Sequence, residues 1–226
     1  MRRALLMIAA AVLLVPASAR AQQTLNFQLG GFIPHSADAR PSSDVLVQDQ
    51  SSLDFATSDF NGVTFGGEWL FPIHNNFEGG LGLGFYNRTV PSVYLNVVNS
   101  NGSEIGQDLK LRIVPFTATV RFLPLGHGGF EPYIGAGVAA YYWRYAETGQ
   151  FVDVNNNIFQ GSFVGSGSAV GPVVMGGFRG VFDPLTAGFE VRWQSGKGNL
   201  PADQSFAGSK IDLGGFNYLF TLGIRF

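Results

Sequence analysis

The chain has 226 residues, with 14 Lys and Arg against 16 Asp and Glu, three His and no Cys. Charged residues make up only 13% and aromatics 14%, where a soluble domain usually carries about twice that charged fraction. The missing Cys excludes disulfides, thiol nucleophiles and thiolate metal sites, and the acidic balance disfavours nucleic acid as a partner.

Met1-Arg2-Arg3, the apolar run Ala4 to Val15 and the small residues Pro16 to Ala21 read as a secretory signal peptide, residues 1–21, cut after Ala21 with Ala19 as the competing site. The run is too short to span a membrane as a helix, and no later stretch approaches the ~20 apolar residues that needs. Removing Arg2, Arg3 and Arg20 leaves 11 basic against 16 acidic residues, a formal charge of −5.

From residue 22 to 226 the chain reads as one domain of alternating segments, in which every second residue is apolar as on one face of a strand. Segment one is Leu25–Leu29, followed by a polar stretch from about His35 to Phe60. Segment two, Val63–Phe71, turns at Pro72–Asn76 into segment three, Phe77–Tyr86, whose inner face is rich in Gly. A long polar spacer, Asn87 to about Gln107, leads to segment four. There Leu109, Leu111 and Ile113 give way to Phe116, Ala118, Val120 and Phe122, a change of phase at Val114-Pro115 that predicts a bulge. Segment five, about Pro132 to Tyr145, has a small-residue centre that leaves its facing open. After a third spacer, Ala146 to about Ser166, come segment six, Val170–Arg179, a short turn, and segment seven, in which Leu185, Ala187, Phe189, Val191 and Trp193 alternate. A fourth spacer, Ser195 to Lys210, precedes the last nine residues, where Tyr218, Phe220, Leu222, Ile224 and Phe226 share one face up to the final residue.

Eight segments with long spacers after the odd-numbered ones predict an all-β, eight-stranded antiparallel up-and-down transmembrane barrel, with both chain ends on the short-turn, periplasmic side. Trp69, Phe71, Phe122 and Phe226 then fall near the turn-side rim, and Phe85, Tyr142, Trp143, Trp193 and Tyr218 near the loop side, as two aromatic girdles. The terminal strand, the strand–loop rhythm and stretches such as Pro132-Tyr133-Ile134-Gly135-Ala136-Gly137 and Glu190-Val191-Arg192-Trp193 resemble the small OmpA/OmpX/OmpW-like outer-membrane β-barrels. The resemblance covers residues 22–226. It implies a bacterial outer-membrane location, lipid and lipopolysaccharide as surroundings, and a monomer. It also implies an assembly machinery that reads the terminal aromatic strand. It fixes no single activity, because the family includes adhesins, channels, structural barrels and lipid-modifying enzymes.

With the apolar face toward lipid, the lumen side receives Asn26, Gln28, Glu68, Glu78, Arg112, Thr117, Thr119, Arg121, Glu190, Arg192, Gln194, Asn217, Thr221 and Arg225. Charges in so narrow a barrel must pair, so Glu68, Glu78, Arg112, Arg121, Glu190 and Arg192 are expected to form a lumen network, either a structural core or a gate. Gly80, Gly82 and Gly84 either leave space or admit close packing. No cofactor or metal is expected, since the histidines are scattered and the acidic first loop lacks calcium-loop spacing. His35-Ser36 with Asp38 offers a weak hydrolase reading, by resemblance to lipid A deacylases, but lacks their His-x-Ser spacing. The apolar islands Val45-Leu46-Val47 and Val93–Val98 are expected either to prolong barrel strands or to form a lip for a hydrophobic ligand. The expectation is therefore a non-enzymatic barrel with a structural or restricted-passage role, adhesion through its outer loops being the main alternative and a lipid A-modifying enzyme the third.

Overall fold

The computed structural model describes residues 23–153 and 155–226, so the expected signal peptide lies outside the described residues. Eight antiparallel strands form the wall: β1 (Thr24–Pro34), β2 (Gly62–His74), β3 (Phe77–Val98), β4 (Glu104–Phe122), β5 (Phe130–Val152), β6 (Ile158–Phe182), β7 (Leu185–Gln194) and β8 (Gly215–Arg225). Each pairs with the next, and β8 closes on β1 from Thr24↔Arg225 to Pro34↔Gly215. Closure matters because hydrocarbon offers backbone groups no hydrogen bonds, and a ring leaves no unpaired edge. Side-chain alternation sets the two faces. Leu25, Phe27 and Leu29 on β1 and Tyr218, Phe220, Leu222 and Ile224 on β8 are exposed on the outer wall, as is the terminal Phe226, while Asn26, Gln28, Asn217, Thr221 and Arg225 are buried inside.

Several elements differ from the sequence reading. The second and third spacers are largely strand: β3 and β4 run up to a tip at residues 99–103, and β5 and β6 to one at 153–157. The island Val93–Val98 thus prolongs β3. Val45-Leu46-Val47 does not prolong a strand: it opens a short helix, α1 (Val45–Asp49), capped by the Asp44 carboxylate, which accepts from the Leu46 amide. Polar side chains along the extended strands hide their identity, because above the hydrocarbon the outer face meets water.

The bulge expected at Val114-Pro115 is absent. The β3–β4 ladder skips Gly84 and Phe85 opposite this pair, where proline has no N–H to donate, yet it holds one register from Leu83↔Phe116 to Tyr86↔Ile113. Odd-numbered residues of β4 therefore face inward along its whole length. What changes at Pro115 is the lumen, which is polar at Thr117, Thr119 and Arg121 and apolar at Leu109, Leu111 and Ile113. The facing of β5, left open by the sequence, follows the same rule: Glu131, Tyr133, Tyr141, Trp143, Tyr145 and Glu147 are buried inside. Trp143 is accordingly a lumen residue and not part of the outer girdle; Tyr142 holds that position.

Candidate functional site in the barrel lumen

The lumen is filled in two stacked layers. The lower one, toward the short turns, is ionic. Arg121 on β4 pairs with Glu68 on β2, reaches Glu190 on β7 at 2.8 Å and lies 3.6 Å from Glu78 on β3. Glu190 also accepts from Arg192 Nε at 2.8 Å and from the Tyr133 hydroxyl at 2.9 Å, and the Arg121 guanidinium lies 4.5 Å from the Tyr133 ring centroid. Arg192 Nη2 is 3.7 Å from Glu68, which accepts in addition from Gln28 at 2.9 Å. Nearer the turns, Arg179 bridges Glu78 at 3.0 Å and Glu131, and Glu131 accepts from Arg225 at 2.8 Å. Four glutamates meet four arginines, so the layer is neutral, and Arg121 and Glu190 are 1% and 0% exposed.

Of the six residues expected in this network, Glu68, Glu78, Arg121, Glu190 and Arg192 stand in it. Arg112 does not. Its even position puts it on the exposed outer wall, and it was misplaced because Leu109, Leu111 and Ile113 looked lipid-facing when they line the upper lumen. Sequence reasoning left Glu131, Arg179 and Arg225 out of the network. The first two alternate with outward Phe130 and Phe178, and counting parity back from those aromatics finds them.

Close packing, not free space, explains the inner glycines of β3. A Cβ on Gly80 would sit 2.5 Å from the Thr119 hydroxyl and 2.9 Å from Glu68, and one on Gly82 would sit 2.6 Å from the Thr117 hydroxyl. The glycines let bulky polar groups of neighbouring strands cross the barrel axis.

The upper layer is apolar. The segment between β1 and β2 folds into the mouth, burying Val45, Leu46, Leu53 and Phe60 in one cluster with Leu109, Leu111, Ile113, Tyr141, Trp143 and Tyr145 of the wall. The segment between β7 and β8 adds Leu200, Ile211 and Leu213 and is tied to the first loop through Ser43 O, which accepts from the Ser209 and Lys210 amides at 3.1 Å. Arg40 donates to Asp44 at 3.0 Å, both side chains being buried. Asp49, at the end of α1, accepts from the Tyr145 hydroxyl at 3.0 Å and faces Glu147 on β5. Burial pushes the Asp49 carboxyl up to about 7, and burial together with the Asp49 charge pushes Glu147 up to about 8. Both carboxyls in the mouth are therefore shifted toward their protonated forms.

The hydrolase arrangement considered for His35 is not assembled. Ser36 donates to Asp38, whereas His35 Nδ1 lies 3.3 Å from Asp212.

No protein-family model and no curated protein sequence matches the chain. Solved structures do. The outer membrane protein OprG from Pseudomonas aeruginosa superposes with a TM-score of 0.52 at 12% identity, over 91% of this chain and 96% of that one. Ail, the attachment invasion locus protein of Yersinia pestis, in complex with the heparin analogue sucrose octasulfate, matches at 0.42 and 8% identity, over 92% and 100%. Acinetobacter baumannii CarO matches at 0.36 and 14%, over 92% and 97%. At such low identity the likeness is one of architecture, and the OprG superposition with the closed eight-stranded ring settles the fold: this chain folds as an eight-stranded antiparallel up-and-down β-barrel like that of OprG.

Proposed function

We propose that the protein is an integral outer-membrane barrel that is sealed at rest, contributes to envelope integrity and passes only small solutes when its two lumen layers part. The observation carrying this reading is the neutral, almost fully buried cluster of four Glu and four Arg across the lower lumen. An eight-stranded barrel is just wide enough for side chains to fill, so such a cluster leaves no standing pore. Thr24 and Arg225, the paired outer ends of β1 and β8, lie at the short-turn end of the ring, and we place that end in the periplasm, because outer-membrane barrels keep their short turns there. The protein acts as a monomer and without enzymatic chemistry in this reading. Swelling of proteoliposomes in a graded series of uncharged solutes tests it: slow entry of only the smallest solutes is expected, and fast entry of disaccharides would overturn it.

A second reading has its own support. The β3–β4 and β5–β6 hairpins rise well beyond the apolar band and expose polar tips at residues 99–103 and 155–157, the kind of surface through which a barrel binds partners outside the cell.

A further inference from the structure

Among the described residues, six basic side chains have no carboxylate within ion-pair distance: Arg88, Lys110, Arg112, Arg144, Lys197 and Lys210. Three of them share one place. Lys110 and Arg112 on β4 and Arg144 on β5 point outward into a surface groove of about 490 Å³, with Asn87, Thr148 and Ser162 as further polar groups and Phe85, Ala146 and Val164 as apolar lining. Arg112 and Arg144 are direct partners in the ladder, so two guanidinium side chains stand side by side on the same face, an arrangement that is unfavourable unless an anion lies between them. The nearest outward carboxylate on β4, Asp108, is two residues beyond Lys110 and forms no ion pair with it. Half of the free cations among the described residues are thus gathered on one patch of wall.

The height of that patch identifies the anion. Phe122 marks the turn-side rim of β4, and Arg112 lies ten residues further along the strand. At ~3.3 Å per residue and a tilt of about 40°, this is roughly 25 Å along the barrel axis, the height of the apolar band of an outer-membrane barrel. Immediately below the cations the wall is Phe116, Val138 and Tyr142, all exposed and apolar or aromatic. A ligand seated here meets cations at its head and a greasy wall at its tail. Guanidinium forks match phosphate oxygens two at a time, and a pair of forks with an adjacent ammonium suits a phosphomonoester dianion.

We propose that Lys110, Arg112 and Arg144 bind the phosphorylated headgroup of an outer-leaflet lipid, with its acyl chains lying over Phe116, Val138 and Tyr142. The proposal rests on the reading that the loop end of the barrel faces the outer leaflet, and insertion and orientation are checked separately by gel mobility and by labelling of loop tips.

The test is lipid binding to the folded barrel in detergent, followed by native mass spectrometry with bisphosphorylated lipid A and with the same lipid stripped of phosphate. The wild type should prefer the phosphorylated form by at least about tenfold, the range of a lost charge-assisted contact. The triple variant Lys110→Gln/Arg112→Gln/Arg144→Gln should lose that preference. Lys197→Gln/Lys210→Gln should keep it, and Arg112→Lys/Arg144→Lys should fall between. All substitutions in the triple variant are on the exposed wall, and unchanged heat-dependent gel mobility verifies folding. A triple variant that keeps the full preference would overturn the proposal. Displacement of the lipid by inositol hexakisphosphate at equal phosphate concentration would do so too, because it would mark a site for soluble polyanions and not for a membrane lipid.

Discussion

Replacing Glu190 by Ala removes one carboxylate that three buried donors share: Arg192 Nε at 2.8 Å, Arg121 Nη2 at 2.8 Å and the Tyr133 hydroxyl at 2.9 Å. The two arginines are not affected equally. Arg121 keeps Glu68 and has Glu78 at 3.6 Å, whereas Arg192 is left with Glu68 at 3.7 Å only, and the layer changes from neutral to one net positive charge. Removing one member of a buried ion pair costs about 3–5 kcal/mol, because the remaining charge stays out of water without a partner. On the scale of soluble domains of this size, that is a fall of roughly 10 °C in unfolding temperature. Glu190→Gln preserves the shape and one acceptor, so its cost should be smaller. The assay is the temperature at which the folded, fast-migrating band on a gel converts to the unfolded one, compared across wild type, Glu190→Ala, Glu190→Gln and Arg112→Ala. The last lies on the outer wall and should stay within about 0.5 kcal/mol of wild type. If Glu190→Ala and Arg112→Ala behave alike, the ionic layer does not hold the lumen together.

Docking of the first loop should weaken with rising pH. The folded-state values of Asp49 and Glu147 lie above the ordinary carboxyl range, so the folded state holds more protons than the undocked one. The stabilisation is then complete below about pH 4 and lost as pH rises toward about 8. Protease cleavage within residues 35–61 should accelerate across that window, and the acceleration should vanish in Asp49→Asn/Glu147→Gln. Leu222→Arg, on the exposed outer face of β8, should destabilise the barrel by about 2–4 kcal/mol if it lies near the bilayer midplane, measured by reversible unfolding in liposomes; full tolerance would contradict a lipid-facing strand. Cysteine placed at Asn101 or Asn156 should react with an impermeant reagent on intact cells, while one at Asn75, in the β2–β3 turn, should not. The reverse pattern would invert the orientation.

The closed wall was readable from sequence because lipid imposes one rule on every strand within the band: apolar out, regardless of neighbours. The closing strand Tyr218–Phe226 and the short turns follow it directly. Above the band the rule lapses. Leu109, Leu111 and Ile113 are apolar because they face the folded first loop, and Arg112 stands on the exposed outer wall, so the same alternation carries the opposite meaning. Local pattern cannot distinguish these cases, since the cause is a segment some fifty residues or more earlier, Val45–Phe60, that packs against them. Glu131, Arg179 and Arg225 entered the network for the complementary reason. Each is an isolated charge within or beside an apolar run, and only the ring closure brings β5, β6 and β8 around one axis.

The central claim is that two seals stand in series, and planar-bilayer conductance of four proteins tests it most directly: wild type, Glu190→Ala, Leu46→Asp to expel the first loop from the mouth, and the double variant. Leu46 is fully buried against the upper wall, so a carboxylate there should be incompatible with docking. In series, opening either layer alone leaves the other in control. Leu46→Asp and Glu190→Ala should therefore each conduct close to wild type, and the double variant should conduct well above the sum of the two. A large steady conductance from Leu46→Asp alone would contradict the account, because the ionic layer would then not be a seal.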